Sequence, residues 1–102
     1  REVGEPRNFA ISEWQVSRVA AVLGYPDLAA EYGQRSLKTV SYAQLGSFYE
    51  GYAHEALARA ARLSGDRGLK AKHLDLAYDM LGQIDDAAER DMLGADLDEL
   101  RG

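Results

Sequence analysis

His54 and Glu55 open an HExxH pattern, in which two histidines one helical turn apart hold zinc and the glutamate acts as general base. The second ligand would stand at position 58, which is Ala58, so the motif fails. His54 is then expected at a helix surface or half-buried. Glu50 and His54 lie four residues apart and share a helix face. A di-iron bundle needs ExxH pairs and further glutamates around a four-helix core, and no ExxH occurs in the chain. The pair therefore reads as a surface hydrogen bond. There is no Cys, which excludes disulfides and thiolate metal sites. Neither His54 nor His73 sits in a recognisable Ser or Asp signature for nucleophilic catalysis. Gly65-Asp66-Arg67-Gly68 is too short for a phosphate loop and lacks its Lys-Ser/Thr. We expect no enzyme, no catalytic residue, no metal ligand and no cofactor.

Binding chemistry has better candidates. Arg18, Arg59 and Arg62 are guanidinium groups able to grip carboxylates with two parallel hydrogen bonds. The competing reading is local ion pairing, Glu55 with Arg59 or Glu55 with Arg62, at helical spacings. Phe48, Tyr49 and Tyr52 crowd one stretch. They read either as core packing or as an anchor for a partner, because Tyr is enriched at interfaces.

The elements that must position these groups are helical. The sequence has 16 Ala, while Val, Ile and Thr together number eight. Good helix formers dominate, and the strand-favouring set is scarce. Periodicity predicts an irregular lead-in over 1–8 and a first helix from Phe9 or Ser12 to Leu23. Its apolar side is Trp14, Val16, Val19, Ala20, Val22 and Leu23, and Gly24 stops it. Pro26 opens a second helix running to about Val40, and Ser41-Tyr42 is a short break. A third helix is expected from Ala43 to Ser64 and a fourth from Arg67 to Ile84. Asp86 with Glu89 three residues on forms a capping-box-like start for a fifth helix, whose stripe is Met92, Leu93, Leu97 and Leu100. Interior glycines such as Gly33 and Gly51 suggest close backbone approach between helices.

The chain of 102 residues makes one domain, with 12 basic and 17 acidic side chains. Residues 1–84 hold ten of each sign; residues 85–102 hold seven acids and two bases, so the whole charge of −5 lies in the last element. This argues against nucleic acid, whose binders need a net basic face, and against an anionic membrane surface. Apolar stretches fall far short of a membrane span. With no signal peptide recognisable, a soluble cytoplasmic protein is expected. The chain starts at Arg1 rather than Met, from which we expect a trimmed N-terminus or a piece cut from something longer.

A shift of 41 residues superposes the two halves. Val16 falls on Leu57, Ser17 on Ala58, Arg18 on Arg59, Ala20 on Ala61 and Gly24 on Gly65; in the second helices Tyr32 falls on His73 and Ser36 on Ala77. Each copy places a large apolar residue beside a small one, then a Gly turn, then a small residue before a large one. On these residues the chain resembles the tetratricopeptide repeat (TPR). The match lies in 12–37, with Trp14, Val16-Ser17, Gly24, Ala29 and Ser36-Leu37, and in 54–78, with Leu57-Ala58, Gly65-Asp66 and Ala77-Tyr78. It departs at Lys70, where copy one has Ala29, and in lacking Pro after either second helix. Its period of 41 exceeds the usual length of about 34. The seven extra residues are expected in the N-terminal part of helix three. The chain also resembles small uncharacterised bacterial TPR-like proteins that end in an acidic helix.

The resemblance implies an all-α, TPR-like α-α superhelix: hairpin one over 9–40, hairpin two over 43–84 and a capping helix over 86–101. It puts Trp14, Arg18, Ala21, Tyr52, Glu55, Arg59 and Arg62 on the concave side. The function then expected is non-catalytic binding of a protein or peptide segment, acidic in character, at Trp14, Arg18, Tyr52, Glu55, Arg59 and Arg62. Two repeats fall short of the three or so that bury a solenoid core. We therefore expect a homodimer or a preceding helix that completes the stack. Three alternatives stand beside this: a regulatory fragment of a larger protein, a small-ligand pocket or enzyme between the hairpins, and a structural homo-oligomer.

Overall fold

A computed structural model describes residues 5–101. Five helices make up the described chain: α1 Pro6–Val22, α2 Pro26–Ala43, α3 Ser47–Ser64, α4 Arg67–Leu81 and α5 Ala87–Arg101. There is no strand among the described residues.

The starts of α1 and α3, and those of α2 and α4, are each 41 residues apart. The turns repeat as well. Tyr25 N donates to Ala20 O and Gly24 N to Ala21 O; 41 residues on, Asp66 N donates to Ala61 O and Gly65 N to Arg62 O. Gly24 and Gly65 take left-handed φ values of 84° and 78°, which only Gly adopts without strain from a Cβ.

Several expected boundaries move. The lead-in over 1–8 is corrected, because α1 already begins at Pro6. Proline lacks only an N–H that a first helical residue leaves unpaired anyway. Residues 1–4 of that lead-in lie outside the described residues. The break at Ser41-Tyr42 is also corrected. The second helix runs through Ala43, and Gln44 takes the left-handed turn position at φ 54°. Leu45 N then closes on Val40 O, so a Gln does what Gly does in the other two turns. Helix three consequently starts at Ser47, not Ala43, and α4 stops at Leu81 short of Ile84. The extra residues of the longer period do not collect in helix three, since α1, α2 and α3 have 17, 18 and 18 residues.

The third helix is the hub. It packs on α1, α2, α4 and α5, whereas α1 touches only α2 and α3, and α5 only α3 and α4. Its own buried positions include Ala53, Ala56, Leu57, Ala58, Ala60 and Ala61. Small residues let the partners come close. A Cβ on Gly33 of α2 would lie 3.0 Å from Leu57 Cδ2. The larger core cluster gathers Ala58, Leu74, Ala77 and Ile84 under Leu93, Leu97 and Leu100 of α5, all three of which are fully buried. Met92 is more than half exposed and leaves the stripe assigned to it. Asp86 Oδ1 accepts from Glu89 N at 2.9 Å, which caps the start of α5.

Candidate functional site

Because α1 and α5 both lean on α3 without touching each other, a groove of about 330 Å³ opens between them. Its walls are Ile11 and Trp14 from α1 and Met92 and Asp96 from α5; Phe48, Tyr49 and Tyr52 make the floor, with Val40 of α2 behind. The sequence places these side chains simply. Ile11 and Trp14 are three apart on α1, Met92 and Asp96 are four apart on α5, and each pair shares a helix face.

Trp14, Tyr52 and Asp96 of the groove lining have polar partners. Glu55 is fully buried. Its Oε1 accepts from Trp14 Nε1 at 3.2 Å, and its Oε2 accepts from Arg59 Nε at 3.0 Å and also from Arg59 Nη2. Charge-assisted hydrogen bonds of this kind satisfy a carboxylate that burial alone would penalise. The Trp14 and Tyr52 rings meet edge to face, with centroids 5.4 Å apart. Phe48 meets Tyr52 in the same way at 5.2 Å. Tyr52 OH donates to Asp96 Oδ2 at 2.6 Å. Burial, then this bond to an anion, pushes the phenol pKa well above its ordinary value, so it stays protonated and donating. One chain of contacts thus joins α1, α3 and α5: Arg59, Glu55, Trp14, Tyr52, Asp96.

Of the six residues singled out from sequence, Trp14, Tyr52, Glu55 and Arg59 lie in this chain, and Arg18 stacks on it, with Cζ 5.5 Å from the Trp14 ring centroid. Arg62 is exposed, one turn beyond Arg59, and does not join. Of the two ion pairs weighed, Glu55 with Arg59 is the one formed. The guanidinium of Arg59 is therefore committed to its own helix, and Arg18 and Arg62 carry no ion pair. Asp96 and Met92 were not anticipated. Their signal was a second stripe on α5, Glu89, Met92, Asp96 and Glu99, spaced three and four apart beside the leucines.

The histidines sit elsewhere. His54 is buried, beyond the surface or half-buried position expected of it. Its Nδ1 lies 3.1 Å from Nδ1 of His73, and the two rings stack with centroids 5.3 Å apart. One proton serves that contact, so one ring donates and the other accepts. Glu50 Oε2 is 4.0 Å from His54 Nε2. Burial lowers both pKa values, His73 to about 4, with the neighbouring His54 and Lys72 adding to the effect. Burial therefore favours the neutral form of both rings. Among the described residues no group of three or more His, Cys, Asp or Glu could hold a metal ion, and no helix is long and apolar enough to cross a membrane.

No protein-family model, no curated protein and no solved structure matches the chain.

Proposed function

We propose that the chain is a non-catalytic protein-interaction module of TPR-like build, which takes a segment of a partner protein into the groove between α1 and α5. The observation that carries this reading is the groove itself: an open, apolar, aromatic-floored cleft in which the Trp14 indole, the Tyr52 hydroxyl and the Asp96 carboxylate already have partners. Such a cleft rewards burial of an apolar or aromatic anchor side chain and asks for no new hydrogen bond at its centre. The TPR-like reading is supported by the repeat in helix starts and turn hydrogen bonds, and by odd-numbered helices alone forming the walls and most of the floor. Beside the aromatic anchor site, Arg18 and Arg62 have free guanidinium donors on successive turns of α1 and α3. They fit acidic residues that follow the anchor in the partner.

Trp14 is the one tryptophan of the chain and lines the groove, so its emission reports occupancy. Titration with peptides carrying an aromatic anchor followed by two or three acids should shift that emission saturably. Arg18→Glu and Arg62→Glu should each weaken binding by up to about fivefold, the value of about 1 kcal/mol for an exposed ion pair, and added salt should do the same. Met92→Asp should abolish it. Peptide affinity indifferent to Met92→Asp would sink the groove reading, and indifference to both Arg reversals would sink its acidic part.

A further inference from the structure

The internal repeat provides a template for a second surface. On α3, the face made by Ala53, Ala56, Leu57 and Ala60 is covered by α2 of the preceding hairpin, and Leu57 and Ala60 are only 5% and 3% exposed. The equivalent positions on α1, 41 residues earlier, are Ser12, Gln15, Val16 and Val19. Here Val16 is 40% and Val19 58% exposed. Leu23, Tyr25 and Leu28 continue the same face, and all are exposed. Together they line a shallow, apolar depression. In repeat two this is a helix-packing surface; in repeat one it faces water.

We propose that a second copy of this chain covers the face, so that the protein is a two-fold homodimer joined through α1 and the α1–α2 turn. The chemistry of the face argues for this occupant. No charged residue lines the depression, although Lys, Arg, Asp and Glu make up 28% of the chain. Arg7, Glu13 and Arg18 project from α1 at other angles. Just beyond Leu28 on α2, Glu31 and Arg35 neutralise each other at 2.6 Å. A two-fold contact sets a patch against itself, so a charge-free apolar patch meets no like-charge repulsion there. Nothing on the face would let a foreign partner be chosen by charge. The α5 wall of the groove is the opposite case, since Glu89, Asp96 and Glu99 would face their own copies.

Light scattering and sedimentation of the full chain test this. The expected mass is twice 11.2 kDa, unchanged by added salt because apolar area drives the contact. Val19→Glu should give the single-chain mass with unchanged helicity, and its groove should still bind the anchor peptide. Dimer failure is thereby separable from groove failure. Should Val19→Glu not fold, Val19→Cys serves. The chain has no other Cys, so mild oxidation should cross-link Val19→Cys dimers much faster than Asp91→Cys ones. A single-chain mass into the millimolar range, a dimer that survives Val19→Glu, open-ended assemblies, or equal cross-linking at both positions would each overturn the proposal.

Discussion

Hairpin one (α1 and α2) and hairpin two (α3 and α4) share a register and differ in how they are held. Hairpin two lies between α2 on one side and α5 on the other. Its contact residues Ala58 and Ala77 are small, apolar and completely buried, beneath three leucines of α5. Among the described residues, hairpin one has a structural neighbour on one side only. At the positions equivalent to Ala58 and Ala77 it carries Ser17 and Ser36, and each hydroxyl crosses to a backbone carbonyl of the other helix: Ser17 to Ala29 O at 2.7 Å, Ser36 to Ala10 O at 3.0 Å. Burial holds the hairpin that is flanked on both sides, and directional bonds reinforce the one that is not. The two outer faces of the described residues also differ in kind, one an acidic helix and the other apolar and exposed.

The largest expected effect comes from the repeat-equivalent arginines. Arg59 is mostly buried and pairs with a carboxylate that is wholly buried. Arg59→Ala leaves Glu55 with only the Trp14 indole, and losing one partner of a buried pair costs about 3–5 kcal/mol. Arg18, its counterpart, has only the face of Trp14 as partner, an interaction of about 0.5–1 kcal/mol at such a site. Urea melts with unchanged slope should separate the two variants by several kcal/mol. Equal costs would mean that the two equivalent turns are held alike. Charge reversal at Arg59 is for the same reason a poor probe of ligand binding, and Arg18 and Arg62 are the positions to change.

Next comes acid. The His54–His73 contact belongs to hairpin two alone; the equivalent positions in hairpin one are Glu13 and Tyr32. With the folded pKa of His73 lowered from 6.5 to about 4, the unfolded chain binds more protons than the folded one between those values. Stability is therefore full above pH 6.5 and falls as pH drops through the window, by about 3 kcal/mol for this one group. His54, also lowered, acts in the same direction. Of the charges near the pair, Lys72 lowers both pKa values, while Glu50, 4.0 Å from His54, favours protonation. His73→Phe should markedly reduce the fall in melting temperature between pH 6.5 and 4.5, leaving the share that His54 contributes. An unchanged slope would assign the acid sensitivity to other groups.

The helical class, the hairpin pairing and the register of 41 were legible because Gly24 and Gly65 punctuate the chain at equivalent places and Pro26 marks the start of α2. Helix ends marked by unusual residues were not. Gln44 in a left-handed turn carries no sequence signal, so α2 was cut short and α3 begun early. In the site, residues on α1 and α3 were legible from helical spacing. The partnership of Tyr52 with Asp96 is 44 residues distant and depends on how α5 is rotated, which two overlapping stripes on one helix leave open. The leucine stripe Leu93, Leu97 and Leu100 faces the core as its spacing implies, and only Met92, adjacent to Leu93, belongs to the other stripe. The burial of His54 was missed for a related reason, since its match at position 73 lies on another helix and no local pattern joins them.

The smallest expected effect bears most directly on how hairpin one is held. Ser17→Ala and Ser36→Ala convert hairpin one to the residues hairpin two already has at those positions. Neither removes a methylene, so no cavity term enters, and what is lost is the hydroxyl bond alone. The acceptors, Ala29 O and Ala10 O, lie within helices and keep their helical N–H donors. The penalty for an orphaned buried acceptor does not arise, and each change should cost about 1 kcal/mol, the net value of an ordinary hydrogen bond. The two bonds share no atoms and sit at different levels of the hairpin, so the double variant should cost about the sum. If both changes prove neutral, hairpin one is held by packing as hairpin two is, and the serines are only small residues at a close contact. If the double variant loses well over the sum, the bonds act together, and hairpin one depends on them more than on its packing.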